Sequence, residues 1–168
     1  MVLAFRVVEP PRSKSRPRKG RNGFYTESRT VAYEKRIAEV AILQARMNKM
    51  KQPFGSCILD LTIVYRRPKR LSRRKDSDER IICMKNNQDI DNVLKAVLDG
   101  LQRSGILPND NLVSKTNVRR LYGKKKHTGQ GVSPELACVE IRLSDEFEEH
   151  FDNEQDLLKQ DVAAFVEV

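Results

Sequence analysis

The chain has 168 residues, 32 of them Lys or Arg against 23 Asp or Glu, for a net charge of +9. That length suits one domain with a sizeable core, and no apolar run is long enough to span a bilayer, so a soluble protein of the cytoplasm is expected, with no membrane partner. Cys57, Cys83 and Cys138 are odd in number and far apart, which excludes a zinc-finger or disulfide framework and suits a reducing compartment.

Residues 2–8, "VLAFRVV", are β-rich and stop at Pro10-Pro11, which cannot continue a strand. The stretch 10–30 is a basic loop punctuated by Pro and Gly. Thr30 is placed to cap a helix over 31–50, where apolar residues recur at helical spacing. In "CILDLTIVYR" (57–66), Leu59, Leu61, Ile63 and Tyr65 share one face, predicting a strand with one side buried. Residues 67–81 lack periodicity and read as a surface loop.

A helix is predicted over about 91–104, with Val93, Leu94, Val97, Leu98 and Leu101 as its buried stripe and Gly105 ending it. A strand is expected within 112–124 and a basic loop over 123–131. "ELACVEIRL" (135–143) alternates, with Ala137, Val139, Ile141 and Leu143 inward. The order β-α-β-α-β-β predicts an α+β fold, a single two-layer domain over 1–143 with helices packed on a mixed β-sheet.

Charge is unevenly spread. Residues 144–168 hold nine acids and one Lys, so this tail carries −8 and the body +17. A body that basic is expected to meet a polyanion, nucleic acid first among them, although a solvated charged surface has the same composition. The tail is compatible with a packed helix, an unstructured chain or a cover over the basic face.

Against this background three acids stand around the helix 91–104: Asp89, Asp91 and Asp110. Lys95, four residues after Asp91, falls on the same face. The six residues from Gly105 to Asp110 can reach about 20 Å when extended, so a straight return would bring Asp110 beside the other two. Carboxylates that close repel unless a cation intervenes, and beside phosphates the economical one is Mg²⁺. Bound there it would assist phosphodiester hydrolysis, with Lys95 neutralising developing charge. Each acid also has an ordinary reading: Asp91 as N-cap, Asp89 favouring the helix dipole, Asp110 in a turn. Asp99, two turns above Asp91, is expected to orient Lys95.

"DIDNVLKAVLDGL…GILPNDNLV" resembles the signature of the RusA family of Holliday-junction resolvases, D-x-D-N-x-x-K followed by an apolar stretch ending in an acidic pair. Asp110 falls on the second acid of that pair, and Asn109 replaces the first. "PPRSKSRPR", "YTESRTVAYE" and "LDLTIVYRRPKRL" resemble the flanking segments of the family, so the resemblance covers 1–143. It implies that Asp89, Asp91 and Asp110 are the metal-binding catalytic set and that Lys95 is required for cleavage. It also implies Mg²⁺, with Mn²⁺ as a substitute, and a homodimer that nicks two opposing strands of a four-way DNA junction. The two-fold symmetry of such a junction calls for two sites related by that symmetry. Arg12, Lys14, Arg16, Arg18 and Lys19 are expected to contact phosphates, and Tyr25 to stack on a base or sugar. The competing readings are a non-catalytic nucleic-acid-binding protein and a general branched-DNA nuclease.

Overall fold

The computed structural model describes residues 1–14, 18–20, 23–25, 27–72, 78–83, 88–128 and 131–145. Its elements in chain order are β1 (Val2–Val7), β2 (Arg18–Gly20), β3 (Gly23–Tyr25), α1 (Ser28–Met47), β4 (Cys57–Tyr65), β5 (Ile81–Ile82), α2 (Ile90–Ser104), β6 (Val113–Tyr122), β7 (Lys125–Thr128), β8 (Gly131–Pro134) and β9 (Cys138–Asp145). Short 3-10 turns cover Lys69–Leu71 and Asp110–Leu112.

Five strands make one mixed sheet in the order β1-β9-β4-β6-β5. Strand β9 is antiparallel to both β1 and β4, whereas β4 and β6 are parallel. Parallel neighbours need a crossover of a dozen residues or more, usually a helix. Here the crossover contains α2. The expected α+β architecture is what forms, with both helices on one face of the sheet.

The core explains that layering. Leu3, Phe5 and Val7 of β1, Leu59, Leu61 and Ile63 of β4, and Val139, Ile141 and Leu143 of β9 meet Tyr33, Ile37 and Val40 of α1 and Val93, Val97 and Leu101 of α2. The other face of β4 is also largely covered, since Ile58, Thr62 and Val64 are buried. The expectation of a half-buried strand fails because β4 lies centrally, between β9 and β6.

Other boundaries differ by local causes. α1 starts at Ser28 rather than after Thr30, because the Glu27 carbonyl already accepts from the Thr30 and Val31 amides. Part of the basic stretch 123–131, expected as a loop, forms the antiparallel β7–β8 pair. Strand β9 runs on to Asp145, whose carboxylate pairs with the amino group of Met1 at 2.7 Å. The rest of the acidic tail, 146–168, lies outside the described residues.

The helices approach closely at Gly100. A Cβ there would stand 2.8 Å from Cβ and Cγ2 of Ile37 and 3.0 Å from the Glu34 carbonyl oxygen. The backbone contact cannot give way by a rotamer change. Gly100→Ala should therefore lower stability in urea unfolding, because an overpacking cost of about 1–3 kcal/mol outweighs a helix-propensity gain of about 1.

Candidate active site and nucleic-acid interface

α2 begins one residue earlier than its apolar pattern predicts. The Val93 amide donates to the Asp89 carbonyl, and Asp89, with φ −70° and ψ 134°, takes the N-cap position instead of Asp91. An N-cap aspartate normally spends its carboxylate on the helix amides behind it. Asp89 makes no such side-chain cap bond. Its Oδ2 instead accepts from the Asn92 side-chain amide at 3.3 Å. Asp91 is exposed in the first turn, and Lys95 Nζ stands 3.4 Å from its Oδ2. Both side chains of this pair are about 60% exposed (60% and 61%), so the contact is loose and easily exchanged for another partner.

The predicted stripe is correct in substance. Val93, Val97 and Leu101 are buried, and Leu94 and Leu98 pack on the core from partly exposed positions. Gly105, with φ +75°, closes the helix as expected.

Asp110 is elsewhere. The chain leaves β4 at Tyr65, returns through α2 and enters β6 at Val113, which pairs with Cys57 at the start of β4. Gln88, next to Asp89, accepts from the Tyr65 hydroxyl at the opposite end of β4, 3.3 Å away. About 26 Å of strand lies between Cys57 and Tyr65 at ~3.3 Å per residue. Asp110 and the Asp89–Asp91 pair thus belong to opposite ends of the sheet, too far apart to share one cation within a chain. Among the described residues, no group of three His, Cys, Asp or Glu side chains is placed to hold a metal.

The straight return does not occur because its apolar half has another role. Ile106 and Leu107 are buried, and the Ile106 carbonyl accepts from the Phe54 amide at 2.9 Å. This fixes the chain at the C-terminal end of α2. Asn109, at the position of the missing acid, caps the turn that follows: its Oδ1 accepts from the Asn111 amide at 3.1 Å. Asp110 itself is exposed.

Gln88 is a residue that no pattern in the sequence marks. Its side-chain amide donates to the Pro11 carbonyl at 3.1 Å, its Oε1 accepts from Tyr65, and its carbonyl accepts from Arg120 Nη1 at 3.3 Å. Burial pushes the Tyr65 hydroxyl up to about 12, so it stays a donor throughout the ordinary pH range. β4, β6 and the N-terminal segment are thereby tied to the residue before Asp89.

The basic segment is partly described. Arg12 and Lys19 are exposed. Lys14 donates its amide to the Asn92 carbonyl at 2.9 Å and pairs its ammonium with Asp99. Asp99 therefore faces Lys14, and Lys95 is left to Asp91, contrary to the expected Asp99–Lys95 contact. Arg18 and Tyr25 are partners in the β2–β3 hairpin; their side chains, and all of Arg16, lie outside the described residues.

A family model described as endodeoxyribonuclease RusA matches residues 9–129, a span that includes Asp89, Asp91, Lys95, Asp110 and the basic segment. No curated protein matches the chain.

Proposed function

Since the chain belongs to the RusA family of endodeoxyribonucleases, we propose that it resolves four-way DNA junctions by paired, Mg²⁺-assisted nicking. The observation that carries this reading is the N-cap residue Asp89. Its carboxylate declines the cap, and it stands two residues from an exposed Asp91 at the end of a helix whose Lys95 is held only loosely. In a body of +17, two carboxylates that cap no helix amide and are held only by long contacts to Asn92 and Lys95 would be a liability for a pure DNA binder.

Mg²⁺, or Mn²⁺ in its place, fits an all-oxygen donor set of this kind. When bound it would polarise the scissile phosphoryl group and ease deprotonation of an attacking water. Asp89 and Asp91 would hold it, and Lys95, released from Asp91, would offset negative charge gathering on the phosphate. Arg12 and Lys19, both exposed, would contribute backbone phosphate contacts beside Arg16 and Arg18, with Tyr25 stacking.

The distance to Asp110 gives the dimer a chemical purpose. In a two-fold dimer that sets the N-terminal end of α2 against the start of β6 of the other copy, Asp110 of the partner subunit completes each acid set. Isologous symmetry then makes two composite sites at once. That is the number needed to cut opposing strands in one encounter.

The test is a four-way junction labelled on each strand in turn, incubated with Mg²⁺, with Mn²⁺ and with chelator, alongside fork and duplex DNA of the same sequences. Paired nicks on opposing strands of the junction, dependent on metal and absent from duplex, are expected. Retained junction binding with no nicking under either metal would overturn the catalytic reading. Equal cutting of forks would replace junction resolution by general branched-DNA cleavage.

A further inference from the structure

We propose that Lys14 and Asp99 form a latch that holds the N-terminal basic segment along α2, so that both are positioning residues for DNA cleavage. The proposal rests on the reading that the N-terminal end of α2 is where DNA is cut. Its basis is a set of three contacts in register. The Pro11 carbonyl accepts from the Gln88 side chain, the Lys14 amide donates to the Asn92 carbonyl, and the Lys14 ammonium reaches Asp99. Pro11 meets Gln88, two residues before α2, and Lys14 meets Asn92 with its backbone and Asp99, two turns further along the helix, with its side chain. The segment is therefore laid lengthwise on the helix instead of crossing it.

Neither member of the pair is otherwise well explained. Asp99 is a carboxylate on the helix that carries the candidate acids, in a body whose net charge favours DNA. There it would repel phosphate unless its charge were already matched. Lys14 is only 37% exposed and Asp99 32%, which leaves the lysine half covered and committed to a neighbour. A phosphate-binding lysine is better served by an extended, solvated side chain. What the pair does hold is Arg12. This exposed side chain lies between the anchors at Pro11 and Lys14, and is presented beside the end of α2 that carries Asp89 and Asp91.

The two roles differ in sign. If Asp99 is an idle acid near bound DNA, removing its charge tightens junction binding. If it is half of the latch, Asp99→Ala loosens the segment and slows cleavage at saturating junction about tenfold, as small misplacements of contacting groups do. Hydrogen exchange at the Lys14 amide, protected in the wild type by the Asn92 carbonyl, should accelerate in the same variant. The exchanged pair, Lys14→Asp with Asp99→Lys, keeps the net charge and should recover both the cutting rate and the protection. Wild-type cutting by Asp99→Ala with unchanged exchange, or a double variant no better than the worse single one, would overturn the latch. Were Asp99→Ala poorly folded, the exchanged pair measured against Lys14→Asp alone would still decide it. Failure of the wild type to cut any branched substrate would sink the cleavage reading instead. Loss of Lys14 amide protection in Asp99→Ala would then still support the latch as a contact, and its persistence would overturn it.

Discussion

Subunits carrying Asp91→Asn and subunits carrying Asp110→Asn should each be inactive alone, yet should nick junctions when refolded together. Each substitution removes a carboxylate from the proposed cation site. A loss of about 4 kcal/mol of transition-state stabilisation corresponds to roughly a thousandfold in rate. Junction binding should persist or tighten, because a negative charge facing phosphate has gone. The mixture is informative because of where the residues lie, at opposite ends of β4. In a composite arrangement, one site of the mixed dimer collects both defects and the other is wholly wild type. That single intact site should cut one strand and leave its opposite uncut, so the product is a nicked junction in place of resolved duplexes. Were each acid set confined to one chain, every site would carry a defect and mixing would restore nothing. Strand-specific labelling of the junction distinguishes the two outcomes.

Arg80→Leu should cost about 3–5 kcal/mol of stability, since removing one partner of a buried ion pair strands the other. Arg80 contacts Glu135 at 2.6 and 3.1 Å and Glu140 at 2.7 and 2.9 Å. Glu140 is only 4% exposed and is also held by Arg6 at 2.6 Å. The cluster ties the segment before β5 to β9 and β1, so its loss should loosen the edge of the sheet as well. A pH signature accompanies the loss. Burial pushes the Glu135 carboxyl up, but hydrogen bonds from Arg80 and the Lys124 amide outweigh it and hold the group below its ordinary value of 4.5. A depressed folded value means stability that is present above about pH 4.5 and lost as pH falls through the lower folded value. Without Arg80, burial is largely unopposed and the folded value should rise. The variant should then be penalised most at neutral pH, and its deficit should shrink on acidification. Urea unfolding at pH 7 and pH 4 measures both quantities. An equal deficit at the two pH values would show that Glu135 does not sense Arg80.

Much of this molecule is determined by the amino-acid sequence taken alone. The period of the apolar residues in 91–104 and the left-handed glycine that follows define α2 to within a residue. Alternation in 57–66 and 135–143 likewise marks β4 and β9, although β9 begins three residues later and runs two residues further, since side-chain periods of 3.6 and 2 are properties of the local backbone. The motif that marks Asp89, Asp91 and Lys95 lies within seven residues, and its members share one helix end for the same reason. The β7–β8 pair, built from the mostly polar runs KKHT and GVSP, carries no apolar alternation, and Gln88 and the Lys14–Asp99 pair leave no periodic trace because each depends on a partner distant in the chain. Most consequential is the direction of β6 against β4. Alternation is the same in parallel and antiparallel strands, so no local pattern distinguishes a chain that doubles straight back from one that crosses over. Only the tertiary structure decides that α2 returns the chain to the start of β4 before β6 begins. With that choice Asp110 is carried to the far end of the sheet from Asp89. It stays there because Ile106 and Leu107 are more stable buried in the core than drawn out along the helix.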